Sequence, residues 1–261
     1  MVGGALLAAM MAGALLAPLV TGDPQELNPI MRLMPPGEEA WFGTDHLGRD
    51  ILTRTLHGGR VSLFVGLSVA VLASLVGTAI GLVAGFVRAA DGPLMRIMDG
   101  VMAIPAILLA IAMVAVTRPS VANVIIAVTV VETPRVARLV RSVVLTIREQ
   151  PYIEAAIASG TRTPRILLRH VLPNTAAPLI VQATYVAAAA ILIESLLSFL
   201  GTGTPAAIPT WGNIVAEGRT YFQIATWIIF FPGVFLAVTV LAINLLGDGL
   251  RDLLDPRHVD R

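Results

Sequence analysis

Apolar positions in this chain fall in long blocks, without the alternation that marks a half-solvated strand or the periodic stripe of a soluble helix. An α-helix needs about 20 mostly apolar residues to cross a hydrocarbon layer ~30 Å thick. Five blocks reach that length or nearly so: residues 2–20, 61–87, 97–117, 175–200 and 226–246. A sixth, 121–131, begins apolar and runs into Glu132, Pro134 and Arg135. It is short, but without it the neighbouring blocks would enter and leave on the wrong sides. The pattern predicts an all-α membrane protein with six transmembrane helices. Residues 1–22 form the first helix, 23–60 an outer segment and 61–261 the core transmembrane domain.

Within the second block Gly77, Gly81 and Gly85 recur every four residues on one helix face. Small residues at that spacing let two backbones approach closely where lipid supplies no hydrophobic drive, so a packing face is expected there. Pro105 in the third block predicts a kink. Thr44 or Asp45 is placed to cap a helix running through Leu56, with Ile51, Leu52 and Leu56 on one side, lying at the outer membrane face.

The stretch 135–174 holds seven arginines, and each would cost roughly 2.5–3.5 kcal/mol at a bilayer centre. It cannot all be embedded. Pro151 suits a first helical position, and Gly160 a left-handed residue just past a helix end. Thr163 then offers an N-cap, Pro164 a helix start, Ile166 to Leu172 a body and Pro173 a stop. Two short helices and a tight turn are expected, forming an elbow outside the membrane within a loop at about 142–174.

Composition narrows the chemistry. Hydrophobic residues make up 56% and charged residues 13% of the chain, against about 25% charged in soluble domains. A net charge of +1 gives no reason to expect a nucleic-acid partner. There is no cysteine, which excludes disulfides, thiolate metal sites and cysteine nucleophiles. There is also no lysine, since all 18 basic residues are arginine. A phosphate-binding Walker A loop needs its lysine, so this chain cannot hydrolyse nucleotide by that route. The four histidines, His46, His57, His170 and His258, are too scattered for metal-ligand spacing. Catalytic residues, bound cofactors and metal ligands are not expected.

Six spans with both ends cytoplasmic place twelve arginines on the inside and six on the outside, as the positive-inside rule requires. The first block has no basic residue before it, and the first charge of any sign is Asp23. It is read as a retained helix and not as a signal peptide. Asp99, Glu132 and Glu194 fall in or at the ends of spans, where ionisable groups are functional suspects. Each lies near an interface, and a structural or interfacial role is expected.

Glu154-Ala155-Ala156, three residues, Gly160, and Leu172-Pro173 resemble the EAA loop of binding-protein-dependent ABC importer permeases. His170 stands where the general pattern has isoleucine, and Arg169 to Asn174 is similar to the oligopeptide/dipeptide/nickel branch. Gly43-Thr44-Asp45 with Gly48-Arg49-Asp50 resembles another segment of that branch, as do the stretch from Glu194 to Gly201 and Pro209-Thr210-Trp211-Gly212. The closing Gly247-Asp248-Gly249 and Asp255-Pro256-Arg257 extend the match over nearly the whole chain. Glu132-Thr133 departs from it, standing before Pro134 where the branch often has an aromatic residue.

The resemblance implies a type I importer permease fold of the second, C-type subunit, located in a bacterial inner membrane and working by alternating access. It implies a second homologous permease as heterodimer partner, two cytoplasmic ATP-binding subunits carrying ATP and Mg, and a substrate-binding protein. Glu154, Ala155, Ala156, Gly160, Leu172 and Pro173 would form the coupling segment against the ATPase. Peptides or related small solutes would be the cargo. An ion-driven secondary transporter is the alternative, and it would be expected to show inverted repeats with broken helices.

Overall fold

The computed structural model describes residues 2–254. The closing Asp255-Pro256-Arg257 signature, His258 and Arg261 lie outside the described residues. The described chain is helical, with ten α-helices and no strand. In order they are α1 (Val2–Val20), α2 (Ile51–Phe86), α3 (Arg88–Ala103), α4 (Ala106–Val116), α5 (Val121–Arg148), α6 (Pro151–Ala158), α7 (Thr163–Ile166), α8 (Leu172–Phe199), α9 (Trp211–Gly218) and α10 (Trp227–Leu254). A wider π-type turn over Leu167–Val171 makes α7 and α8 one continuous helix of 37 residues.

Among the described residues, α1, α2, the α7–α8 helix and α10 are each long and apolar enough to cross a membrane. The third expected span is corrected. It is not one helix, because α3 and α4 meet at a 90° bend and pass the same test only as a pair. The cause is Pro105, which lacks an N–H and forces its predecessor out of helical geometry. Ile104 accordingly sits in the extended region at φ −92° and ψ 130°. The sixth candidate, expected over 121–131, is the start of a helix of 28 residues that continues past Pro134 to Arg148.

Two further expectations change. Asp50 caps α2, accepting the Thr53 N–H at 2.7 Å, and Thr44 and Asp45 are buried in the preceding turn. There is no separate outer helix ending near Leu56. That stretch is the start of α2, which at 36 residues is ~54 Å long and overshoots a hydrocarbon layer.

The packing face read from the glycines is present, and its partner is α5. A Cβ added at Gly77, Gly81 or Gly85 would lie 2.6–2.7 Å from the Cβ of Val136, Val140 or Val144 respectively. Both stripes step by four residues, so the valines of α5 seat in the notches of α2 along three turns. α3 is bound to α5 by charge: Arg141 donates to both carboxylate oxygens of Asp91, at 2.5 and 2.7 Å, and Arg138 pairs with Asp99. α8 packs beside α2 at Gly66, where an added Cβ would meet Ile191 at 2.6 Å. α1 crosses α10 through Gly3.

The outer segment is held by a buried ion-pair network that sequence reasoning missed. Asp45 is fully buried and accepts from Leu47 N–H (2.7 Å), Arg49 N–H (3.0 Å), Arg49 Nε (2.6 Å) and Arg54 Nη1 (2.7 Å). Arg54, on α2 and 2% exposed, also donates to Glu217 of α9 at 2.7 and 3.1 Å. Burial by itself would raise the Asp45 pKa, but the Arg54 charge and the two backbone N–H groups outweigh it and hold the carboxyl below its ordinary 3.8. Asp45, His46 and Glu217 bring ligand atoms within 4.8 Å of one another, yet two guanidiniums occupy the carboxylates, and His46 stacks on Tyr221 with ring centroids 5.1 Å apart.

Gly81→Leu is expected to lower the melting temperature of the detergent-solubilised protein, since overpacking a filled contact costs about 1–3 kcal/mol. Gly100→Leu, with nothing within 4 Å of its Cβ position, should leave it unchanged or raise it, and equal losses would dissolve the notch assignment. For the ion-pair network, a carboxyl with a depressed folded pKa contributes stability above its unfolded pKa and loses it as pH falls through the lower folded value. Protection of residues 44–50 against hydrogen exchange, taken relative to the intrinsic rate at each pH, should therefore hold at pH 5 and fall only below about pH 3.8. In Asp45→Asn the same amides should exchange fast at both pH values.

Candidate functional site

The predicted elbow is present between α5 and α8. Pro151 opens α6 as its first residue, where a missing N–H costs nothing. The helix ends in a Schellman arrangement: Thr161 N–H donates to Ala156 O (3.1 Å) and Gly160 N–H to Ile157 O (2.9 Å). Gly160 has φ +74°, the left-handed conformation the turn requires, and nothing lies within 4 Å of a Cβ built there. The glycine thus meets a backbone demand, and within this chain no steric one.

Of the eight residues in α6 only Ile153 is buried. It joins the bundle core with Ile147 and Val144 of α5, Ile166 of α7 and Val171. That single anchor leaves Tyr152, Glu154, Ala155, Ile157 and Ala158 facing outward, with Ala156 half-buried. Tyr152 and Ile157 are 46% and 51% exposed. The exposed face is therefore slim, apolar and marked by one carboxylate.

The second half of the elbow departs from expectation. Arg162, not Thr163, precedes the first turn of α7, and no side chain caps it. Pro173 does not end the helix. The chain widens at Leu167–Val171, where the Leu172 N–H donates five residues back to Leu167 O. Proline removes a donor and crowds the carbonyl four residues before it, and the wide turn accommodates both. Leu172 and Pro173 thus lie at the start of α8, after the elbow, with Leu172 half-buried and Pro173 exposed.

A groove of about 1360 Å³ runs between α1, α2, α8 and α10, with apolar walls such as Phe64, Leu75, Ala183 and Ile243. Leu172 reaches it, which places one residue of the expected coupling segment on the groove wall. Sequence reasoning could not rank groove residues, because the lining is assembled from five helices, Val121 of α5 included, and the segments holding Pro24 and Pro209.

The three acids have separate structural partners. Asp99 is on the exposed side of α3 with Arg138. Glu132 is buried on α5, 3.2 Å from Arg135. Glu194 is fully buried and accepts from Ser198 Oγ (2.8 Å), Ser62 Oγ (3.2 Å) and Thr204 Oγ1 (3.3 Å), tying α8 to α2 and to the loop before α9. The four-residue step from Glu194 to Ser198 was legible in sequence, but the partners on α2 and the loop were not.

Comparison with known proteins agrees with this geometry. The family model described as "binding-protein-dependent transport system inner membrane component" matches residues 77–259. A probable peptide ABC transporter permease of Sinorhizobium fredii is 52% identical over 100% of this chain and 90% of its own length. A dipeptide transport system permease of Alkalihalophilus pseudofirmus is 47% identical, over 94% of this chain and 81% of the relative. The oligopeptide transport system permease of Bacillus subtilis is 37% identical, over 98% and 85%. Among solved structures, an inward-facing MetNI methionine ABC transporter aligns with a TM-score of 0.64 at 20% identity, covering 77% of this chain and 96% of that one. At that identity the likeness concerns the fold. The chain belongs to the family of binding-protein-dependent transport system inner membrane components, and is an ABC importer permease subunit of the oligopeptide/dipeptide C-type branch.

Proposed function

We propose that this permease subunit conducts peptides or closely related small solutes, powered by ATPase subunits that grip α6. The observation that carries the reading is the form of α6: an exposed slim helix with one charge, closed by a left-handed glycine and rooted to the core by Ile153. Glu154 fixes register in a cleft of the ATPase, Ala155 and Ala156 let the helix enter it, and Gly160 turns the chain back. Leu172 and Pro173 join the elbow to α8 and so to the groove wall. ATP and Mg belong to the partner subunits, and this chain contributes no catalytic or cofactor-binding residue. The peptide cargo is supported by the names of the relatives at 52% and 47% identity.

A homologous second permease completes the pathway by covering the groove, and a substrate-binding protein delivers cargo from outside. α5 makes the sixth crossing. It is the interior helix of the bundle, and Arg138 and Arg141 are matched by Asp99 and Asp91. Both termini lie on the cytoplasmic side, as the arginine distribution supports. The family assignment supports the ATP-driven reading over the ion-driven alternative. The acids point the same way, since Asp99, Glu132 and Glu194 have separate partners and form no continuous relay.

Glu154→Arg is expected to release the ATPase subunits during purification in mild detergent. Gly160→Val forces a β-branched residue into left-handed geometry at a cost of about 1–3 kcal/mol, and import should fall at least roughly tenfold. Both variants should insert in the membrane at normal levels. Full transport by the two together would remove the coupling assignment.

A further inference from the structure

We propose that Arg60, at the end of the groove bordered by Pro24 and Pro209, binds the carboxylate of a solute entering the pathway. The inference rests on the permease reading and deepens it, assigning one residue and one chemical group.

Three observations carry it. Arg60 lines the groove, is exposed, and makes no ion pair among the described residues. Every lining residue other than Arg60 and His57 is uncharged at all accessible pH, and no acid is among them. The groove therefore carries fixed charge of one sign only, at one end, in apolar walls. His57 stands one helical turn before Arg60, lines the same groove, and has its buried Nε2 without a hydrogen-bond partner. A guanidinium and an imidazole three residues apart on a helix share a face, and since the imidazole Nε2 is buried, the donors open to a solute on that face are those of Arg60.

The chemistry selects the ligand. A guanidinium offers two parallel N–H donors that match the two oxygens of a carboxylate. Low-dielectric walls strengthen that attraction relative to water. Among the lining residues, a solute reaching this end finds a partner for its carboxylate in Arg60. Pro24 and Pro209 belong to the segments that follow α1 and precede α9, which places Arg60 among the loops and not at mid-span. Asp23, beside Pro24, does not line the groove but is near enough to His57 to act on its charge; it is exposed, with Oδ1 accepting the Gln25 N–H at 2.9 Å.

The test uses the complete transporter in proteoliposomes, with this permease, its partner permease, the ATPase subunits and the binding protein. Import is compared for one peptide and its C-terminal amide, each at a concentration shown by native mass spectrometry to saturate the binding protein. Arg60→Gln should slow import of the free acid on the order of tenfold, the loss of one charge-assisted contact. Import of the amide and ATPase activity should stay as in the unaltered transporter, and Arg60→Lys, which keeps the charge but not the paired donors, should restore part of the free-acid rate. Equal loss for both cargoes would overturn the assignment, and would identify Arg60 as a contact to a lipid headgroup or the partner permease. Unchanged import of both would overturn it too. Failure of the unaltered transporter to import either cargo would sink the peptide reading, and this inference with it.

Discussion

The contact between the glycine notches of α2 and the valine ridge of α5 is the constraint on which the remaining architecture depends. In lipid, helices gain little from hiding apolar surface from one another, and association rests on close packing. The Gly77, Gly81 and Gly85 series brings the α5 backbone within reach. An added Cβ would stand 2.7 Å from Ala137 O and 3.0 and 3.1 Å from Thr133 O and Arg141 O. This contact fixes α5 in register on α2, and both ends of the molecule inherit that register. The α5 continuation past Val144 and Ile147 sets where Ile153 must land, and hence how α6 is presented. The α2 extension beyond the bundle carries Arg54 to the place where Asp45 and Glu217 converge.

That arrangement gives α5 two jobs that conflict in sequence and agree in space. As a buried helix it should be apolar, yet it bears Glu132 and four arginines. Arg138 and Arg141 are matched by Asp99 and Asp91 on α3, and Arg148 donates to Gly85 O and Phe86 O at 3.3 Å, the end of α2. Those pairs sit on the side of α5 that leads into α6. A displacement of α6 therefore acts on a helix already tied to α2 by packing and to α3 by charge.

The sequence displayed the parts whose signal is local. Apolar blocks marked α1, α2, α8 and α10 to within a turn, apart from the early start of α2 and the end of α10, which runs eight residues past the apolar block to Leu254. The four-residue glycine step announced a packing face, and the Pro151 and Gly160 pair announced α6 and its closing turn. What was misread depended on remote partners. The full length of α5 was hidden because its charges look unpaired until α3 is folded beside it. Asp45 looked like a cap because Arg54 and Glu217, 163 residues apart, become neighbours only through the fold. Pro173 looked like a stop because the five-residue hydrogen-bond step that carries the helix past it has no composition signature. The groove and Arg60 were invisible for the same reason.

The two polar nodes and the exposed elbow together imply an uneven distribution of stiffness. Glu194 with Ser62, Ser198 and Thr204, and Arg54 with Asp45 and Glu217, both join α2 to the chain around α9, and the Trp211 indole adds a donor to Thr55 O at 3.0 Å. Removing one member of such a buried charged pair typically costs about 3–5 kcal/mol, so that end of the molecule resists opening. At the opposite end α6 has one buried side chain, and the α7–α8 helix carries a wide turn whose hydrogen bonds are less regular than those of an α-helix. Under the proposed coupling, a force applied at α6 would meet the compliant end first. It would reach the groove through α5 and through Leu172 at the start of α8, with the stitched end as the pivot. Charged networks suit a pivot because their donors and acceptors demand fixed geometry, and a nearly free helix suits a place where another subunit would take hold.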